Sequence, residues 1–155
     1  MEAVVDSSFL ISLARSGLLG LLGRLPFDLV WLDAVKRETV DAGVAGGHPD
    51  AAAIESATRG LAVRPAGGAA ASTVDAIVVE AAARAGLLVS NDLALGRRAR
   101  NLGAHWLRTA DVVVLLRETT AIDAGEACAA IAALRGAMRL SPELADAYLD
   151  RIGGP

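Results

Sequence analysis

Short apolar runs alternate along this chain with longer stretches in which apolar positions recur at helical spacing, and that alternation predicts a parallel sheet with helices on both faces. Residues 3–5 read as the first strand. Ser7 or Ser8 can then cap a helix whose Phe9, Leu10, Leu13, Leu18, Leu21 and Leu22 form a broad buried stripe, and Pro26 helps to end that unit. Residues 29–32 form a second strand, Asp33 the N-cap of the next helix, and 43–47 a loop before Pro49 opens another helix. A short strand at 61–63 leads through a small-residue connection at 65–71 into a helix over 72–84 that Gly86 ends. Strand 87–89, helix 93–101 and strand 105–107 make a βαβ unit. From Ala110 the chain is helical in three pieces, the last opened by Ser141-Pro142-Glu143. The expected fold is α/β, a three-layer α/β/α sandwich around a central, mostly parallel sheet. Residues 1–155 make one domain, with 110–155 as a C-terminal helical extension packed on it.

Composition narrows the class. A chain of 155 residues, 54% of them hydrophobic, suits one core. No segment is apolar over membrane-spanning length, and the N-terminus, with Glu2 and Asp6 around a short apolar run, lacks the layout of a signal peptide. Cys128 is the only cysteine, which excludes an intrachain disulfide framework and a thiolate zinc cage and fits a reducing cytoplasm. With two histidines, any metal is held by oxygen. The net charge of −3 gives no overall basic field, so contact with a phosphate backbone must be local. Lys36 is the only lysine. Arg97, Arg98 and Arg100, with Arg108 close behind, form the arginine-rich stretch best suited to gripping phosphates, or else an exposed helix face. Aromatic residues make up only 3% of the chain, too few for base stacking to dominate.

The acids fall where α/β sheets collect ligands, at the carboxyl ends of strands and the first turns of following helices. Asp6 follows the first strand, Asp92 follows strand 87–89 closely, and Glu38 and Asp75 lie early in helices. Hard cations such as Mg²⁺ and Mn²⁺ take carboxylate and water oxygens, and one or two such ions can activate water against a phosphodiester. Each acid also has a plainer role: Asp75 closes the capping-box sequence from Ser72, Asp92 can cap the helix at Leu93, and Glu38 can be a solvated charge. Ser8 can orient Asp6 or cap a helix, and Asn91 can hold Asp92 in place while adding no charge.

Four segments together resemble the PIN-domain family of metal-dependent ribonucleases. Residues 4–11, Val-Val-Asp-Ser-Ser-Phe-Leu-Ile, look like the family's opening motif. Residues 35–40, containing Glu38, resemble the second, Val74-Asp75-Ala76-Ile77 the third, and Leu88-Val89-Ser90-Asn91-Asp92 the fourth. Residues 139–144 and 148–153 are similar to the ending of a prokaryotic subgroup with many VapC-like members. The resemblance implies a PIN-like fold and an endoribonuclease that positions Mg²⁺ or Mn²⁺ on Asp6, Glu38, Asp75 and Asp92. It also implies an RNA substrate and either a homodimer or a small antitoxin partner. The alternative is a catalytically idle PIN-like module that binds RNA or protein. The chain departs from the subgroup in having Val74-Asp75 where Gly-Glu is frequent, so Glu80 is not expected to be a ligand. It also has Arg108-Thr109 where Gly-Thr is frequent. Thr109 can keep the hydroxyl's role and Asp111 can add a distant fifth carboxylate, or both serve as helix caps.

Overall fold

The computed structural model describes residues 1–65 and 73–153. Five strands, β1 (Glu2–Val5), β2 (Asp28–Leu32), β3 (Val63–Arg64), β4 (Leu87–Val89) and β5 (His105–Leu107), form one all-parallel sheet in the order β3-β2-β1-β4-β5. The central strands β1, β2 and β4 run through the interior. Val4, Val5, Leu88 and Val89 are each no more than 1% exposed, and they pair directly as Val4 with Leu88 and Val5 with Val89.

Helix α1 (Ser7–Arg15) leads out of β1, and α5 (Val74–Ala85) and α6 (Leu93–Asn101) lead into β4 and β5. Because β2 lies on one side of β1 and β4 on the other, right-handed crossovers put α1 on one face and α5 and α6 on the opposite one. The strand order reverses between β1 and β4. In open parallel sheets the crevice at such a reversal, beyond the carboxyl ends of the two strands, is where ligands bind. Three helices, α7 (Thr109–Glu118), α8 (Ala124–Gly136) and α9 (Pro142–Ile152), complete the described chain. They share the core of the sheet through Val113, Leu116, Ile131 and Leu134.

The local signals place α6, β4 and β5 within their observed bounds, and Gly86 terminates α5 with φ of 87°, a conformation that costs glycine little. Other expectations need correction. The leucine stripe does not form one helix. Gly17 turns left-handed with φ of 68°, and Leu19–Arg24 becomes a 3-10 turn whose leucines are only half-buried. Asp6, not Ser7 or Ser8, caps α1, and Asp33 lies inside its helix with Leu32 at the cap position. The loop expected over 43–47 is largely helical. Helix α2 (Asp33–Lys36) continues through a π turn, Arg37–Asp41, into α3 (Ala42–Ala45), and a second helix, α4 (Pro49–Thr58), starts on Pro49. The third strand is displaced to Val63–Arg64. Of the connection at 65–71 only Pro65 is described, and Ser72, with its share of the capping box, lies outside the described residues. Thr73 caps α5 instead, accepting a hydrogen bond from the Ala76 amide at 3.2 Å.

Candidate active site

The chain leaves β1 at Val5 and starts α1 at Ser7, so the Asp6 carboxylate is held at the carboxyl edge of the sheet with helix amides in front of it. Its Oδ2 accepts from the Ser8 amide at 3.2 Å, from the Ser8 hydroxyl at 2.5 Å and from the Ser90 hydroxyl at 2.9 Å. The same geometry caps the helix, so the plain role and the chemical role of Asp6 coexist.

Ser90 joins the two neighbouring strand ends. Fully buried, it donates to Asp6 and accepts from the Asp92 amide at 3.0 Å. Asp92 spends Oδ1 on the Leu95 amide, capping α6, and is otherwise exposed. Asn91, between them, is a hub. Its amide N–H donates to Ser8 Oγ at 2.9 Å, its Nδ2 donates to Ser12 Oγ and Thr109 Oγ1 at 2.8 Å each, and its Oδ1 accepts from the Thr109 amide at 3.0 Å. Ser12 and Thr109 are both buried, so this network fixes α1, the β4 end and α7 relative to one another while adding no charge.

The structure brings together Asp6 and Asp92, through Ser90. Glu38 and Asp75 lie on other elements, in the π turn and in α5. Glu38 is exposed in the π turn that follows β2, on a cavity of about 380 Å³ whose walls also include Ser7, His48 and Asp50. Single π turns inside helices recur at functional sites. Asp75 sits in the first turn of α5, which runs antiparallel to the strands and therefore begins at the same edge of the sheet; Arg98 of α6 stands 3.7 Å from it. Among the described residues no three His, Cys, Asp or Glu side chains form a group that could hold a metal ion. By donor type the acids suit a hard cation, and the Asp6–Ser90–Asp92 edge supplies carboxylate oxygen at the switch point. Glu80 lies further along α5, away from its first turn.

Arg97, Arg98 and Arg100 are exposed on α6, and Arg98 is the one of the three that meets Asp75. Asp111 takes the capping role: its Oδ2 accepts from the Arg108 amide at 2.9 Å at the start of α7, and its Oδ1 from the Tyr148 hydroxyl at 2.6 Å. Thr109 serves Asn91. Sequence reasoning missed Ser90, Ser12, Trp106 and Arg139. Trp106 Nε1 donates to the Ser90 carbonyl at 2.8 Å, and Arg139 Nε donates to Ser12 Oγ at 3.0 Å. The one available signal was Ser12, a hydroxyl among the apolar positions of α1.

Burial, then the hydrogen bond to Asp111, pushes the Tyr148 phenol above its ordinary value of 10.0. The neutral, hydrogen-bonded phenol is thus favoured by folding. Its stabilisation is complete below pH 10 and is lost as the pH climbs through the higher folded value. Tyr148→Phe should cost about 1–2 kcal/mol at neutral pH. Chemical denaturation of both proteins as a function of pH should show the difference shrinking only in the strongly alkaline range; a constant difference there would remove this account of the bond.

A family model described as a PIN domain, DUF3368, matches residues 2–154. The chain belongs to the PIN-domain family. Among solved structures, a PilT N-terminus domain protein from the hyperthermophilic archaeon Sulfolobus solfataricus P2 is similar at 17% identity and a TM-score of 0.47, over 79% of this chain and 95% of that one. No curated protein matches the chain. PIN domains are typically nucleases and generally bind a divalent metal, and the family suggests a nucleic-acid substrate. No helix among the described residues is long and apolar enough to cross a membrane.

Proposed function

We propose that this PIN domain is a metal-dependent endoribonuclease, with Asp6, Glu38, Asp75 and Asp92 holding Mg²⁺ or Mn²⁺ at the carboxyl edge of the sheet. The observation that carries the reading is the Asp6–Ser90–Asp92 linkage at the strand-order reversal. A divalent ion bound there would lower the pKa of a coordinated water and neutralise charge on the phosphate. The chain's own residues hold the donors in place. Ser8 and Ser90 fix the Asp6 carboxylate, Asp92 caps α6 with Oδ1 and engages Oδ2 with none of the described residues, and Asn91 with Thr109 sets the strand ends without adding charge. Arg97, Arg98 and Arg100 supply exposed cations for the RNA backbone, and Arg98 also neutralises part of the charge of Asp75. In the cytoplasm such a protein would act as a homodimer or as the toxin of a toxin–antitoxin pair, a role that fits the similarity of its C-terminal helix to the VapC-like subgroup.

Cleavage of a mixed single-stranded RNA panel should disappear with EDTA and return with Mn²⁺ or Mg²⁺, by at least about 100-fold between the two states. Metal-independent cleavage would defeat the proposal. The exposed Arg98–Asp75 pair, and the lack among the described residues of any group of three potential ligands, favour a second reading, a PIN module that binds RNA without cutting it. Calorimetric titration with Mn²⁺ separates the two: binding weakened several-fold by Glu38→Gln supports the enzyme, and no saturable binding supports the idle module.

A further inference from the structure

Beside the carboxylate edge lies a cavity of about 570 Å³, within the range that encloses a small ligand. Arg108, Arg135 and Arg139 line it together with Asn91 and Thr109, and none of its lining residues is acidic. In a chain of net charge −3, three guanidinium groups on one cavity are a concentrated local field. Their existing engagements leave them available. Arg139 commits Nε to Ser12, Arg108 lies 5.0 Å from the centroid of the Trp106 ring, and Arg135 meets Asp146 at 3.3 Å in an exposed pair that competes weakly with a phosphate.

The lining also includes the apolar side chains of Met138, Leu140, Pro142 and Leu144. Met138 is 90% exposed, and its φ of 55° is that of the left-handed residue closing α8, with the Arg139 amide donating to the Leu134 carbonyl at 2.9 Å. Guanidinium groups and apolar side chains on one cavity match a nucleotide, whose phosphate suits the first and whose base suits the second. Asn91 connects this cavity to the carboxylates, since its side chain lines the cavity and its amide donates to Ser8, which donates to Asp6.

We propose that this cavity between α7 and the α8–α9 connection binds one nucleotide of single-stranded RNA adjacent to the cleaved bond, its phosphate on Arg108, Arg135 and Arg139 and its base against Met138. The proposal rests on the ribonuclease reading. Its test uses fluorescence anisotropy of a short mixed-sequence single-stranded RNA with the full chain carrying Asp6→Asn, in EDTA, so that binding is read apart from cleavage. Arg135→Ala and Arg108→Ala should each weaken binding about tenfold and lower the salt slope by about 0.7 for each phosphate no longer engaged. Met138→Glu, at an exposed position where folding tolerates it, should weaken binding by a similar factor. Unchanged affinity and salt slope in all three variants would overturn the proposal, as would a glutamate-rich peptide that binds the cavity more tightly than RNA. The two readings fail separately. Wild-type cleavage with unaffected variants removes the cavity and keeps the nuclease, whereas variant-sensitive RNA binding without any cleavage keeps the cavity and removes the nuclease.

Discussion

Asp6→Asn should lower RNA cleavage by at least about 100-fold while leaving the fold intact. The first half follows from charge: an amide cannot replace a carboxylate toward a divalent ion, and substitution of residues that merely support metal ligands already costs about 10–100-fold. The second follows from the hydrogen bonds. An asparagine oxygen can still accept from Ser8 and Ser90, and asparagine is as good an N-cap as aspartate, so α1 keeps its start at a cost within about 1 kcal/mol. Steady-state cleavage and thermal unfolding of the same preparation decide the matter. Wild-type activity in the variant would remove Asp6 from the chemistry. Activity that falls in step with the folded signal would instead assign the residue to the scaffold, because Oδ2 also ties α1 to the end of β4. Asp92→Asn should behave alike, since the Leu95 amide keeps its acceptor.

Gly96→Ala should be the most destabilising single methyl addition in the described chain. A Cβ built on Gly96 would overlap the fused bond of the Trp106 indole, so α6 or the ring has to move. Overpacking of this kind costs about 1–3 kcal/mol, and the upper end applies here because the neighbour is a rigid ring, not the tip of a flexible side chain. The substitution reaches the site as well. Displacing the ring breaks the bond from Nε1 to the Ser90 carbonyl and removes the surface beneath Arg108. Chemical denaturation should show the stability loss. The second variant Trp106→Phe, which removes the indole N–H while keeping a ring, should lose about 1 kcal/mol. A Gly96→Ala protein as stable as the wild type would show that the close approach of helix and indole is not needed.

Much of this architecture is legible in the order of residues alone. Gly86, Pro49 and the Ser141-Pro142 pair mark element ends through conformations that adjacent residues impose. The strand at 87–89 is readable because a strand buried on both faces is apolar throughout. The positions of Asp6 and Asp92 just beyond strands follow from the same segments, so the sequence places both at the carboxyl ends of strands. The leucines after Gly17 mislead because spacing alone does not reveal a left-handed glycine that ends the helix. The π turn around Glu38 leaves no mark either, since it inserts one residue into an otherwise helical pattern.

Local order thus determined where strands and helices begin, which acids stand at their junctions and what type of ion those acids suit. Tertiary structure decided which of them meet. Ser90 reaches Asp6 across 84 residues, Arg139 reaches Ser12 across 127, and Tyr148 reaches Asp111 across 37. Contacts of that separation depend on strand order and helix packing, which no short-range periodicity encodes. The arginine-lined cavity is of the same kind, since its walls come from the start of α7 and from the connection between α8 and α9, segments that only the packed fold brings together.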